Sequence, residues 1–201
     1  MFKINGEGYE IEQAYIDALL DEEEERLMFG VEISGKQADD RTLPSITSDT
    51  LLKTGKHEIR KWQDIAGRVV EWGKYSKNVR KPYARFYNYY KNTFRSNFIY
   101  NAKIEFKAID SKIFIKVQGL CDSKFNGTEI KTLSLKIETE VVFGWISTGA
   151  HITEELARNK LNPYLDADNF DYSVSPLKLS NGSVDMGRFD LKNENNEYRI
   201  F

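Results

Sequence analysis

Cys121, His57 and His151 carry the side chains that could form a nucleophilic site. A thiol nucleophile needs an imidazole as its base and a carboxylate or amide that orients the imidazole. The chain supplies one cysteine, two histidines and 31 acidic residues. However, the segment 119–123, GLCDS, has no local signature of a thiol enzyme, and a lone cysteine near a strand end is usually a small apolar core residue. A hydrolase that uses Cys121 is therefore an alternative function.

A pair of carboxylates offers a second route to hydrolysis. Glu138 and Glu140 are two residues apart on a predicted strand, where side chains on one face lie roughly 7 Å from each other. This spacing is near the separation that inverting glycoside hydrolases use. In a chain with so many acids, such pairs also arise by chance. A hydrolase that uses this carboxylate pair is therefore part of the same alternative function as one that uses Cys121.

The acidic segment 166–177, DADNFDYSVSPL, begins like a calcium-binding loop. It departs from the EF-hand pattern, because Asp171 stands where the turn needs glycine and Leu177 stands where a bidentate glutamate is needed. A looser calcium site through Asp166, Asp168 and Asp171 is the alternative to a solvated loop. The histidines and the cysteine lack zinc-type spacing. We predict no metal and no cofactor.

The segment 81–100, KPYARFYNYYKNTFRSNFIY, contains eight aromatic and four cationic residues and no acid. Three interpretations are open. The rings can form core while the Lys and Arg stems cover its rim, they can contact another protein, since Tyr and Arg dominate interface hot spots, or residues 74–103 can bind single-stranded nucleic acid by stacking and phosphate contacts. The predicted binding residues here are Arg85, Tyr89, Lys91 and Arg95.

Charge is segregated along the chain. Residues 1–45 hold twelve acids against four bases, and residues 53–103 hold thirteen bases against three acids. Separated charge of this kind can steer a charged partner. Three acids of the run 21–25 complete the predicted binding set: Glu22, Glu23 and Glu24. The sequence leaves open whether the acidic and basic blocks contact each other.

Apolar residues alternate with polar ones in four segments, which predicts strands. Asn5-Gly6 and Asp110-Ser111 are typical of hairpin turns. Thr153 is a suitable N-cap, so a short helix is predicted near 153–161. We favour strands over a helix for 68–72 and for 81–100, and we interpret 36–58 mostly as connection. The alternating segments are 2–11, 27–33, 102–117 and 133–145.

These elements predict a mainly β (β-rich α+β) fold, an antiparallel sandwich or partly open barrel with one short helix near 153–161. We expect a single domain over 1–201, with a possible subdomain edge within 36–58 and a loose C-terminal tail at 193–201. Three tryptophans, Trp62, Trp72 and Trp145, could present a sugar-binding ring, but in an aromatic-rich chain they are more often core.

The predicted function is a non-catalytic cytosolic protein-binding module. A toxin-neutralising immunity-type protein is one form that such a module can take. We expect the partner to be another protein rather than a nucleic acid, and we expect no membrane to be involved. The first residues, MFKINGEGYEIE, carry charge and glycine where a signal peptide needs an apolar segment. The lone cysteine cannot form an intramolecular disulfide. Both features predict a cytoplasmic location.

Overall fold

The computed structural model describes residues 1–36, 44–74, 82–90, 93–125, 129–148, 153–172 and 188–191. Strands make up 62% of the structure, and the described residues contain one short α-helix. The prediction of a β-rich fold with one short helix is confirmed. Lys91, His151 and the predicted tail at 193–201 lie outside the described residues.

Twelve strands are described. They are β1 (Phe2–Ile4), β2 (Glu7–Tyr9), β3 (Ile11–Asp21), β4 (Arg26–Gly35), β5 (Ser45–Thr54), β6 (Val69–Trp72), β7 (Arg85–Tyr90), β8 (Thr93–Ile109), β9 (Lys112–Ser123), β10 (Lys131–Ser147), β11 (Phe170–Asp171) and β12 (Arg188–Leu191). The predicted strands at 68–72 and within 81–100 are thus confirmed as β6, β7 and β8.

Hydrogen bonds join these strands into one large mixed sheet. The order is β11-β12-β10-β3-β4-β5-β7-β8-β6, and β9 pairs with both β8 and β10, while β1 pairs with β10 and β2. Because β9 links β8 back to β10, the pairings in the described part of the chain form a ring of strands rather than a regular barrel.

The chain forms two compact units. The first contains Met1–Ile16, Phe29–Leu52 and Ile65–Val142, and the second contains Asp17–Met28, Lys53–Asp64 and Phe143–Phe201. The single-domain organisation stays a prediction. Among the described residues, no helix is both long enough and apolar enough to cross a membrane.

In the first unit, two hairpins turn at residues that tolerate a left-handed backbone. Asn5 and Gly6 have φ values of 52° and 88° between β1 and β2, and Asp110 and Ser111 have φ values of 49° and 65° between β8 and β9. Two consecutive positive φ angles give the turn twist that matches adjacent strands. Both predicted turns are confirmed.

The core of the first unit follows the alternation read from the sequence. On β9, the side chains of Ile113, Ile115 and Val117 are at most 1% exposed, whereas the residues between and beside them are partly or fully exposed. Ala108, an apolar residue of the alternating segment 102–117, is an exception, because it is exposed near the turn between β8 and β9.

The interpretation of 36–58 as mostly connection is wrong for β5, which covers Ser45–Thr54. Ile46 and Leu51 are buried, but so are the small polar residues Ser48 and Thr50. The hydroxyl of Ser48 donates to the carbonyl of Tyr83, which satisfies it inside the protein. Buried Ser and Thr hide the apolar alternation that marks a strand.

In the second unit, helix α1 covers Glu154–Leu161 and confirms the helix predicted near 153–161. The Thr153 hydroxyl accepts a hydrogen bond from the Leu156 amide, as an N-cap residue does. Ala157 and Leu161 are buried. Arg158 bonds to Glu154 one turn earlier, at 2.9 Å.

Gly119 on β9 faces a crowded part of the core. A Cβ built there would lie 2.5 Å from Cγ2 of Ile99 and 3.3 Å from Cβ of Ala102. We expect Gly119→Ala to lower the free energy of unfolding by about 1–3 kcal/mol, because the strands must shift to admit the methyl group. Urea denaturation measures this. Gly73→Ala is the control, since a Cβ there meets nothing within 4 Å, and equal losses in the two variants would contradict the prediction.

Candidate binding face on strands β7 and β8

The alternation of β7 separates its side chains into two sets. Phe86 and Asn88 are buried at 0% and 1% exposure, whereas Arg85 and Tyr87 are partly exposed. The β7–β8 register places Phe98 directly opposite Arg85. Since residues that pair across two strands share a face, Arg85 and Phe98 lie together on the face away from Phe86.

Arg85 packs its guanidinium on an aromatic ring. Its central carbon lies 4.5 Å from the centroid of Phe98, and the ring of Tyr83 meets Phe98 edge-on at 6.2 Å with an interplanar angle of 68°. A cation over a ring at this distance is stabilised by the ring quadrupole. We call the group Tyr83, Arg85, Tyr87 and Phe98 the Arg85 face.

Rings beneath the Arg85 face hold β7 on the core. Phe86 contacts Phe2 edge-on at 6.5 Å and Phe125 at 5.8 Å. Phe125 in turn meets Tyr9 at 6.0 Å. The basic aromatic segment therefore contributes side chains to both faces of the sheet. Phe86 belongs to the core, whereas Arg85 and Tyr87 lie on the partly exposed face.

A small polar cluster lies inward of the same hairpin. The side-chain amides of Asn88 and Asn97 both donate to the hydroxyl of Ser123, at 2.8 Å and 3.1 Å. Asn88 and Ser123 are each 1% exposed. These two hydrogen bonds connect β7 and β8 to β9. Sequence patterns did not single out this cluster, because buried Asn and Ser resemble loop residues.

The other residues predicted to bind within this segment lie in different settings. Arg95 on β8 donates from Nη1 to the backbone carbonyl of Lys124 at 2.8 Å. Tyr89 is on β7 opposite Phe94, and the side chains of both are outside the described part. Lys91 is outside it altogether. Tyr83, Tyr87 and Phe98 are additional face residues. The register between β7 and β8 identifies Tyr87 and Phe98, and a ring contact with Phe98 identifies Tyr83.

The acidic run of the second unit forms a turn that is paired with lysines. Glu24 bonds to Lys53 at 2.7 Å, Glu25 to Lys56 at 2.7 Å, and Glu22 to Lys160 of α1 at 2.5 Å. The Glu24–Lys53 pair is the more buried of the first two, with side chains 26% and 19% exposed. The acidic and basic blocks thus do contact each other, through Lys53 and Lys56.

Local bonds shape the rest of the acidic turn. The backbone amides of Glu23 and Glu24 both donate to Oδ1 of Asp21, at 3.1 Å. The hydrogen bond to Glu25 raises the pKa of Lys56 above its usual value. The predicted binding role of Glu22, Glu23 and Glu24 stays a prediction, and two of the three carboxylates already have a lysine partner.

In the segment that resembles a calcium loop, the carboxylates of Asp166 and Asp168 bond within the protein, and the side chain of Asp171 lies outside the described part. The Asp166 side chain accepts from the Asp168 amide at 3.2 Å, and Asp168 bonds to Arg158 at 2.8 Å. The guanidinium of Arg158 also lies 4.4 Å from the ring centroid of Tyr172. No group of three metal-binding side chains is found among the described residues.

Two tryptophans proposed as sugar platforms pack against the protein. The Trp72 indole donates to the carbonyl of Ile99 at 2.8 Å in the first unit. In the second unit, Trp62 lies 5.6 Å from Phe143, ring centroid to ring centroid. These contacts are those of tryptophans that stabilise a fold.

The carboxylate pair of the hydrolase alternative lies on the outer face of β10. Glu138 is exposed, and Glu140 bonds to Lys112 across the sheet at 2.8 Å. A general acid needs a raised pKa, which burial or a second carboxylate provides. Glu138 is exposed and Glu140 forms a surface ion pair, so the structure adds no support for an acid–base role of this pair.

Cys121 lies inside the first unit at 0% exposure, and burial raises the pKa of its thiol to about 12. At pH 8 only about one thiol in ten thousand is then ionised, and the thiolate is the reactive form. We expect iodoacetamide to leave Cys121 unmodified in the native protein and to modify it fully in guanidinium chloride, as measured by mass spectrometry. Rapid labelling of the native protein would restore the thiol-hydrolase alternative.

No protein-family model, no curated protein and no solved structure matches this chain.

Proposed function

We propose that this protein is a non-catalytic protein-binding module that uses the Arg85 face. The observation that carries the proposal is the partly exposed Arg85, whose guanidinium carbon lies 4.5 Å from the centroid of the Phe98 ring, which Tyr83 in turn contacts edge-on. Arg and Tyr are the residues that most often dominate binding energy when a partner excludes water from them. Because Phe98 already holds Arg85, little side-chain entropy is lost when a partner contacts it.

The packing favours a protein over single-stranded nucleic acid. Sequence-tolerant binding of single strands relies on aromatic faces on which bases stack. One face of the Phe98 ring is covered by Arg85, and Tyr83 packs against the same ring. The chain as a whole carries a net charge of −2, which gives no long-range attraction for a polyanion.

A toxin-neutralising immunity-type protein is the finer form of this proposal. Such a blocker needs a stable binding surface and no chemistry of its own. It predicts that the partner is an enzyme and that the purified protein inhibits it in a one-to-one complex. The reducing cytoplasm is the compartment that we propose, since the lone Cys121 cannot form an intramolecular disulfide.

Affinity capture with a variant and its matched control tests the proposal. The immobilised protein is incubated with nuclease-treated extract of the cells that express it, beside the double variants R85A/Y87A and K107A/F114A. Lys107 and Phe114 are a second cation and ring that pair across β8 and β9 on the outer face. We expect a stoichiometric partner that the first variant loses and the control retains. Retention by both variants, or capture that depends on nucleic acid, would overturn the proposal.

A further inference from the structure

The turn between β1 and β2 contains the pair Asn5-Gly6, which has a chemistry of its own. An asparagine followed by glycine is prone to spontaneous deamidation, because glycine has no Cβ to hinder attack by its backbone nitrogen on the asparagine side chain. We propose that Asn5 is a deamidation site that the folded hairpin protects and that reacts when β1 separates from the sheet. The proposal is independent of the Arg85 face, whose residues take no part in the reaction.

The reaction uses only the chain and solvent water. The backbone nitrogen of Gly6 loses its proton to hydroxide and attacks Cγ of Asn5. A bond forms between these two atoms, the bond from Cγ to the side-chain nitrogen breaks, and that nitrogen leaves as ammonia after it takes a proton from water. Water then opens the succinimide ring, at the side-chain carbonyl to give aspartate or at the main-chain carbonyl to give isoaspartate. Asn5 and Gly6 are both exposed, so water and hydroxide reach them.

The backbone of the folded turn holds the two reacting atoms apart. Asn5 and Gly6 have φ values of 52° and 88°, which are those of a type I′ turn, and the first central residue of such a turn has ψ of roughly +30°. At this angle the Gly6 nitrogen and Cβ of Asn5 lie on nearly opposite sides of the Cα–C bond, roughly 150° apart. Closure of the succinimide ring needs the two atoms almost eclipsed, so the native turn prevents the attack.

Two hydrogen bonds to β10 oppose the rotation that the reaction needs. The backbone amide of Asn5 donates to the carbonyl of Ser134 at 2.9 Å, and Oδ1 of Asn5 accepts from the amide of Ser134 at 2.8 Å. Ile4 pairs with Glu7 across the turn and with Leu135 on β10. Asn5 can therefore rotate toward Gly6 only when β1 separates from these neighbours.

The packing of Phe2 controls how often β1 separates. Strands β1 and β2 have three residues each, and an isolated hairpin of this size is not stable in water. Phe2 is 0% exposed and meets Phe86 edge-on at 6.5 Å, so its burial holds the hairpin on the sheet. Isoaspartate routes the main chain through Cβ and adds one backbone atom to the two-residue turn. The reaction therefore marks molecules in which β1 has opened and hinders its return.

Peptide mapping by mass spectrometry of the full-length protein in mildly alkaline buffer tests the proposal. The tryptic peptide 4–26 contains Asn5 as its one asparagine, which separates this site from the Asn-Gly pairs at 126–127 and 181–182. We expect Asn5 of the native protein to react at least about tenfold more slowly than Asn5 of the synthetic peptide 1–11, because the native chain reacts only after local opening. Phe2→Ala should raise the rate at least about threefold, and Phe2→Leu should raise it less, because the leucine leaves a smaller cavity under β1.

Phe114→Ala on the outer face of β9 is the matched control and should keep the wild-type rate. Equal rates in the native protein and the peptide would show that the hairpin gives no protection, and a peptide that stays unmodified would remove Asn5 as a site. Wild-type rates in both Phe2 variants, or equal acceleration in Phe114→Ala, would disconnect the reaction from the opening of β1. If circular dichroism shows that Phe2→Ala does not fold, the comparison of Phe2→Leu with Phe114→Ala decides the question.

Discussion

Phe86→Ala is expected to lower the free energy of unfolding by about 3–5 kcal/mol, the range for removing a buried aromatic side chain. Phe86 is fully buried at 0% exposure and connects Phe2 with Phe125 through edge-on ring contacts. Without it, the cavity would lie directly under β7. Since a domain is stable by only about 5–15 kcal/mol, this one change removes a large part of the total.

Urea denaturation of Phe86→Ala, Phe86→Leu and Phe114→Ala gives a controlled comparison. Leucine keeps most of the buried volume, so its cost should stay below about 1.5 kcal/mol. Phe114 lies on the outer face of β9 and is partly exposed, so its loss should cost less than Phe86→Ala. If Phe86→Ala proved no more destabilising than Phe114→Ala, the assignment of Phe86 to the core would be wrong.

The second large effect concerns affinity rather than stability. We expect Arg85→Ala to weaken binding to the captured partner by at least about 30-fold, which corresponds to a hot-spot contribution of about 2 kcal/mol. Arg85→Lys should weaken binding nearly as much, because an ammonium keeps the charge but loses the planar set of donors that a guanidinium presents.

Isothermal titration calorimetry with the purified partner measures both affinities. Circular dichroism shows whether the variants remain folded, and they should, since an exposed cation–π contact contributes only about 0.5–1 kcal/mol. Wild-type affinity in Arg85→Lys would mean that charge alone, and not the planar guanidinium, drives binding. Wild-type affinity in Arg85→Ala would remove Arg85 from the interface.

The parts of the fold that were predictable from sequence are those set by local signals. Asn5-Gly6 specifies a turn by its backbone freedom, and Thr153 specifies a helix start by its hydroxyl. The alternation at Ile113, Ile115 and Val117 specifies a strand with one buried face. Each signal involves residues within a few positions of one another, so no knowledge of tertiary structure is needed.

The parts that were missed depend on pairing between distant segments. Strand β5 was interpreted as connection because Ser48 becomes suitable for the interior only when the carbonyl of Tyr83 is beside it. The lysine partners of the acidic turn could not be identified from the sequence, because Glu22 and Lys160 are 138 residues apart.

The candidate face itself was only partly predictable. Composition pointed to Arg85 within the basic aromatic segment, but the choice between core and surface depends on register. Once β7 and β8 pair, Phe98 stands opposite Arg85 and Asn97 stands opposite Phe86. A shift of one residue would exchange the two faces, so sequence alone could not separate the ring that packs in the core from the cation that a partner can contact.

Hydroxyl-radical footprinting of the free and partner-bound protein tests the central claim most directly, because it reports the exposure of individual side chains. If the Arg85 face is the binding surface, Tyr83, Tyr87 and Phe98 become protected in the complex while Phe114 on the outer face of β9 keeps its reactivity. Protection of Phe114 with unchanged reactivity at Tyr87 and Phe98 would contradict the account.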